Sequence, residues 1–98
     1  MNLALFQKYV ESFCKEKGFE GVTIEQRMLF LQTEVGELAK EVLLHPHTSI
    51  NDRDELKTRI GLEMFDIIWN VAELANKFDI DLEAAFKEKM EINRDRVW

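Results

Sequence analysis

One cysteine, one proline and four glycines are all that the 98 residues hold of these types. Cys14 has no internal partner, so no disulfide framework organises the fold and nothing points to an oxidising compartment. With so few turn formers, long helices joined by short loops fit best. No apolar run reaches the 18 residues or so of a membrane-spanning helix, and Met1 to Lys8 lack a signal-peptide layout, so a soluble cytoplasmic protein is expected. Positive charge is also short: 13 Lys and Arg stand against 19 Asp and Glu, a formal net charge of -6. That excludes broad binding to nucleic-acid polymers or anionic membranes, though not to a nucleotide held with cations that invert the local field. There is no glycine-rich phosphate loop, which excludes a P-loop protein.

What is present is 46% hydrophobic and 33% charged residues, enough for one domain with a modest core and solvated outer faces. The pattern predicts an all-α, four-helix bundle-like domain over residues 1–98, without strands. The first helix runs from about Asn2 to Lys17, with Leu3, Phe6, Val10 and Phe13 at helical spacing and Gly18 placed to end it. Thr23-Ile24-Glu25-Gln26 reads as a capping box for the second, whose apolar stripe is Ile24, Met28, Leu31, Val35, Leu38 and Val42. Pro46 stops that helix near Leu44, and His45 to Asn51 reads as a polar loop. Asp52 caps the third helix, Arg53 to Lys77, and Asp81 caps the fourth, which starts at Leu82 and continues towards Trp98.

The third helix is apolar nearly all round. Ile60, Met64, Ile67, Val71 and Leu74 fall on one side, and Leu62, Phe65, Trp69 and Ala72 on another. A narrow polar stripe of Arg59, Glu63, Asp66, Asn70 and Glu73 runs between them. Such a helix must be buried nearly all round, which three short neighbours in one chain cannot do. A homo-oligomer is therefore expected, with this helix at its interface.

Four carboxylates occupy two matching frames, Glu34-x-x-Glu37 and Glu63-x-x-Asp66, each at the edge of an apolar stripe. Residues three apart lie on one helix face. Two such helices packed together would crowd four acids into one volume, where like charges raise each other's proton affinity unless a cation lies between them. Oxygen-only donors favour Mg2+ or Mn2+ over zinc. No histidine lies in either frame, which disfavours a di-iron bundle, and His45 and His47 read as a solvated loop. On the fourth helix Lys89, Asn93 and Arg96 share a face and could clamp phosphate oxygens.

The chain resembles the small single-domain members of the MazG-like, all-alpha nucleoside triphosphate pyrophosphohydrolases. The resemblance rests on three segments: the residues from Leu31 to Glu41 around the first frame, those from Gly61 to Asn70 around the second, and the run from Ile80-Asp81-Leu82 to Asn93-Arg94. It implies cleavage between the α and β phosphates of a nucleoside triphosphate, deoxynucleotides included, giving a monophosphate and pyrophosphate. It also implies Mg2+ on Glu34, Glu37, Glu63 and Asp66, phosphate contacts from Lys89, Asn93 and Arg96, a homodimer or homotetramer, and a part in clearing unwanted nucleotides. Two positions depart from the pattern: Thr33, where many relatives have a second Glu, and Asp79, where relatives often have Gly.

On this reading Glu37 or Glu34 orients or deprotonates the attacking water. Asn70, with Trp69 and Phe30, is placed to contact the base. Two alternatives stand beside it. One is phosphoribosyl-ATP pyrophosphohydrolase. The other is a non-catalytic interaction module in which the acids pair with Arg27, Arg59 and Lys40.

Overall fold

The computed structural model describes residues 2–98. Four helices account for most of them: α1 (Leu3–Lys17), α2 (Ile24–Leu44), α3 (Arg53–Lys77) and α4 (Leu82–Arg94). There is no strand among the described residues, and none of their helices is long and apolar enough to cross a membrane. The loop between α2 and α3 is more ordered than its composition suggests, since it holds two 3-10 turns, His45–His47 and Ile50–Asp52.

Most helix ends follow from local chemistry. Asn2 caps α1 by accepting from the Leu5 N–H at 2.9 Å. Gly18 closes it in the left-handed region at φ 76°, where a side chain would be strained. Thr23 and Gln26 form both bonds of the capping box on α2, at 3.1 and 2.9 Å. Asp52 accepts from the Ser49 hydroxyl at 2.9 Å in the turn that leads into α3. Asp81 accepts from the N–H groups of Glu83 and Ala84 at the start of α4. After α3, Asp79 adopts φ 55° and the Ile80 N–H reaches back to the Ala75 carbonyl at 2.8 Å. Glycine would occupy that turn without strain.

The last helix is shorter than expected. It ends at Arg94, where Asp95 takes φ -92° and ψ -1° and leaves the helical path. Val97 and Trp98 stand exposed, so no packing draws the helix onward.

The described chain divides into two compact units. One comprises the residues up to Val22 together with Ala72–Trp98. Val10, Ala72 and Ala75 are its buried apolar residues. Its centre is the buried amide of Gln7, whose nitrogen donates to Asn76 Oδ1 at 3.0 Å and to the Ile80 carbonyl at 2.7 Å. The amide oxygen accepts from the Leu82 N–H at 2.8 Å, so one side chain ties α1 to the end of α3 and the start of α4.

The other unit, Thr23–Val71, is a helix hairpin of α2 and the first part of α3. Arg27 meets Asn70, and seven residues further along α2 Glu34 meets Glu63, seven residues back along α3. Matched steps in opposite directions mean antiparallel pairing. The inward seam of α2 is Ile24, Arg27, Leu31, Glu34, Leu38 and Glu41; that of α3 is Leu56, Ile60, Glu63, Ile67 and Asn70, all buried or half-buried. The apolar stripe expected on α2 is therefore split. Ile24, Leu31 and Leu38 point inward, while Met28, Val35 and Val42 are exposed. On α3, Met64 and Val71 are likewise exposed whereas Ile60 and Ile67 join the seam.

Replacing Gln7 by Leu keeps the volume but leaves the Leu82 N–H and Asn76 Oδ1 without their partner. The expected cost is about 2–4 kcal/mol in denaturant unfolding. A variant as stable as the parent would show the amide to be dispensable.

Candidate metal centre

Seam positions repeat every seven residues on both helices, and this is what brings Glu34 and Glu63 face to face. Their carboxyl groups face each other across the hairpin, close enough for a proton on one to bridge to the other. Asp66 lies one turn along α3 from Glu63. Carboxylate oxygens of Glu34, Glu63 and Asp66 all lie within 4.8 Å of one another. Glu34 and Glu63 are half-buried and Asp66 is exposed. Glu63 Oε2 is closed off from solvent and has no hydrogen-bond partner.

The electrostatics follow from this crowding. The Glu63 carboxyl is pushed from an ordinary 4.5 up to about 7, first by its hydrogen bond to Glu34, then by burial, then by the charges of Glu34, Asp66 and Glu37. Asp66 is raised as well, by burial and then by Glu34. Three of the four expected ligands therefore converge. Glu37 is exposed and acts on Glu63 through its charge.

Neutralising side chains lie elsewhere. Among the described residues no Lys or Arg pairs with Glu34, Glu63 or Asp66. Arg59 reaches Glu41 and Glu55 instead, each at 3.4 Å. Arg27 donates to Asn70 Oδ1 at 3.0 Å and lies 5.3 Å from the Phe30 ring centroid. Asn70, the expected contact to the base, is held within the hairpin. It is 6% exposed, and its two ends are taken by Arg27 and by the Asp66 carbonyl, to which it donates at 2.8 Å. It braces the acidic segment of α3. Sequence reasoning missed the Arg27–Asn70 bridge. Its signal was the seven-residue spacing of Arg27, Glu34 and Glu41, which puts all three on one seam.

The expected phosphate clamp belongs to the other unit. Lys89 is exposed, and Asn93 is half-buried with its Oδ1 closed off and without a partner. Arg96 lies beyond the end of α4, so it does not share a helix face with them; its guanidinium sits 4.3 Å from the Trp98 ring centroid. The same unit contains a cavity of about 180 Å³ lined by Cys14, Glu73 and Lys77 among others. There Cys14 Sγ lies 3.2 Å from Glu73 Oε1. His45 and His47 are exposed and take no part in the acidic group.

Oxygen donors crowded at this spacing can be relieved in two ways, by a shared proton or by a hard divalent cation. The sealed Glu63 Oε2, and a cluster that holds only carboxylates among the described residues, fit an oxygen-liganded ion. Glu34, Glu63 and Asp66, with Glu37 at the rim, are the residues that could hold it.

The proton has a consequence for stability. In the absence of divalent cations the folded chain holds it more tightly than the unfolded chain does. The stabilisation is therefore complete below pH 4.5 and is lost as pH rises through about 7. The melting temperature in chelator should fall between pH 5 and 8 more steeply in the parent than in Glu63→Gln, which imitates the protonated state. Parallel curves would rule out the shared proton.

No family model matches the chain, and no solved structure matches it. The chain is 32% identical over 97 residues to the uncharacterized protein YvdC of Bacillus subtilis (strain 168), an alignment covering 93% of this chain and 92% of that protein. This protein belongs to the family of YvdC.

Proposed function

We propose that this protein is a magnesium-dependent nucleoside triphosphate pyrophosphohydrolase, acting on ribo- or deoxynucleotides to give a monophosphate and pyrophosphate. The observation that carries the reading is the convergence of Glu34, Glu63 and Asp66 within 4.8 Å with no cation-bearing side chain among them. A fold device would pair such acids with arginine, as Glu41 is paired with Arg59. The resemblance of the segments around both frames to MazG-like enzymes supplies the substrate class.

Glu34, Glu63, Asp66 and Glu37 would hold the ion. Magnesium there would neutralise triphosphate charge and favour attack at the α phosphorus. Glu37, exposed beside the cluster, would orient or deprotonate the attacking water, with Glu34 as the other candidate. The raised proton affinity of Glu63 suits it to accept a cation in exchange for its proton. Lys89 and Asn93 on α4 would meet phosphate oxygens, with Arg96 as a further cationic group, and Trp69 and Phe30 would bear on the base. A homodimer or homotetramer, working in the cytoplasm to clear unwanted nucleotides, completes the reading.

The test is pyrophosphate release from a panel of ribo- and deoxynucleoside triphosphates with Mg2+, with phosphoribosyl-ATP included to separate the related activity of histidine synthesis. Glu63→Gln should lose turnover beyond the roughly 10–100-fold typical of residues that only support a ligand, together with the rise in melting temperature that Mg2+ gives the parent. Turnover absent across the panel, or Mg2+ leaving the parent's melting temperature unmoved, defeats the proposal and favours a non-catalytic module.

A further inference from the structure

We propose that Arg59 is the residue by which the α2–α3 hairpin holds the terminal phosphates of its substrate, and so tells a triphosphate from a monophosphate. The proposal deepens the reading above and rests on it for the substrate class and the metal.

Helical geometry places Arg59 at the acidic site. Each residue turns about 100°, so the residue three after a seam position lies about 60° to one side of the seam. In an antiparallel pair these positions fall on the same side of both helices. Counted from Arg27 and Glu34 on α2, they are Phe30 and Glu37. Counted from Leu56 and Glu63 on α3, they are Arg59 and Asp66. One flank of the hairpin therefore carries both exposed acids of the site and this arginine. Along α3, Arg59 lies about 6 Å of helical rise to one side of Glu63, and Asp66 lies about 4.5 Å to the other.

The guanidinium is held in place with donors to spare. Its Nε lies 3.4 Å from Glu41 Oε2, and its Nη1 lies 3.4 Å from Glu55 Oε1. Both are long for charge-assisted bonds, and they engage two of the five N–H donors of an arginine. The side chain is 47% exposed, which leaves the other donors to a solute. The remaining cations of the hairpin are placed elsewhere. Arg27 is buried in the seam on Asn70. Arg53 donates to the Thr48 carbonyl at 3.2 Å. Lys40, six after Glu34, is turned about 120° from the seam, and Lys57, one after Leu56, falls on the opposite flank.

A divalent ion on the acids neutralises the phosphate charge nearest to it, and the phosphates beyond it keep theirs. A planar guanidinium matches two phosphate oxygens with parallel N–H donors, which a lysine cannot do. A monophosphate on the metal has no phosphate left over for that contact.

Titration calorimetry with inorganic pyrophosphate in excess Mg2+ tests this on the full chain. Arg59→Gln should weaken pyrophosphate binding about tenfold or more and leave nucleoside monophosphate binding within about twofold of the parent. Arg59→Lys, which keeps the charge without the fork, should weaken it less, and it carries the test if Gln disturbs the helical circular dichroism. Glu41→Gln breaks the same ion pair but spares the arginine, so it should bind pyrophosphate as the parent does. Lys57→Gln, with one charge lost on the other flank, should do so too. The inference is overturned by a parent that does not bind pyrophosphate, or by a folded Arg59→Gln that binds it as the parent does. Equal weakening by Glu41→Gln or Lys57→Gln overturns it as well, as does equal weakening of monophosphate binding by Arg59→Gln. Turnover is read on the same samples. Triphosphate hydrolysis with kcat/KM undiminished in Arg59→Gln upholds the proposed activity and sinks this contact. A parent without turnover, whose pyrophosphate binding depends on Arg59, does the reverse.

Discussion

Two carboxyl groups meet across the seam of a helix hairpin, and the rest of that hairpin is arranged around this unfavourable contact. One seven-residue step along the seam in one direction, Arg27 is matched by the amide of Asn70. One step in the other direction, Glu41 is matched by Arg59. At the level between them Glu34 faces Glu63, and the only relief is a proton or an added cation. Apolar seam residues, Leu31 and Leu38 from one side and Ile60 and Ile67 from the other, hold the helices together at that level. The acids therefore cannot swing apart without exposing them. A contact that opposes folding is kept in place by contacts that favour it, an expected signature of a site rather than of scaffolding.

The second unit solves a different problem by a different device. Its buried apolar residues are small, Val10, Ala72 and Ala75, and the linking is done by hydrogen bonds through Gln7. A buried amide with all its partners present fixes one arrangement of three chain segments, because any slip leaves several polar groups unsatisfied at once. Small apolar residues and a satisfied amide let α1 and the end of α3 come close where larger side chains would hold them apart.

The sequence made helix number, most boundaries and the acidic frames legible, because those depend on neighbours a few residues away. Thr23 with Gln26, Asp81 with the N–H groups that follow it, and Gly18 at positive φ are all local agreements. Three features were less legible. The end of α4 depended on whether anything would pack on Val97, and nothing does. The hydrogen bond between Arg27 and Asn70 was hidden because the two lie 43 residues apart. The apolar stripe of α2 looked like one surface because spacings of three and four residues do not say which members turn inward. Only a partner helix separates Leu31 and Leu38 from Val35 and Val42. Local order was readable and pairing was not, except where a seven-residue rhythm hinted at it.

Val10, Leu56, Ala72 and Ala75 are the buried apolar residues of the described chain, a small interior for so many large hydrophobic side chains. If association completes that interior, folding becomes a reaction of second order in the chain. Its stability then has no single value, rising with the amount of protein present and fading on dilution. Abundance would set how much of the protein exists in its finished form, so that gene dosage and structure are coupled through mass action.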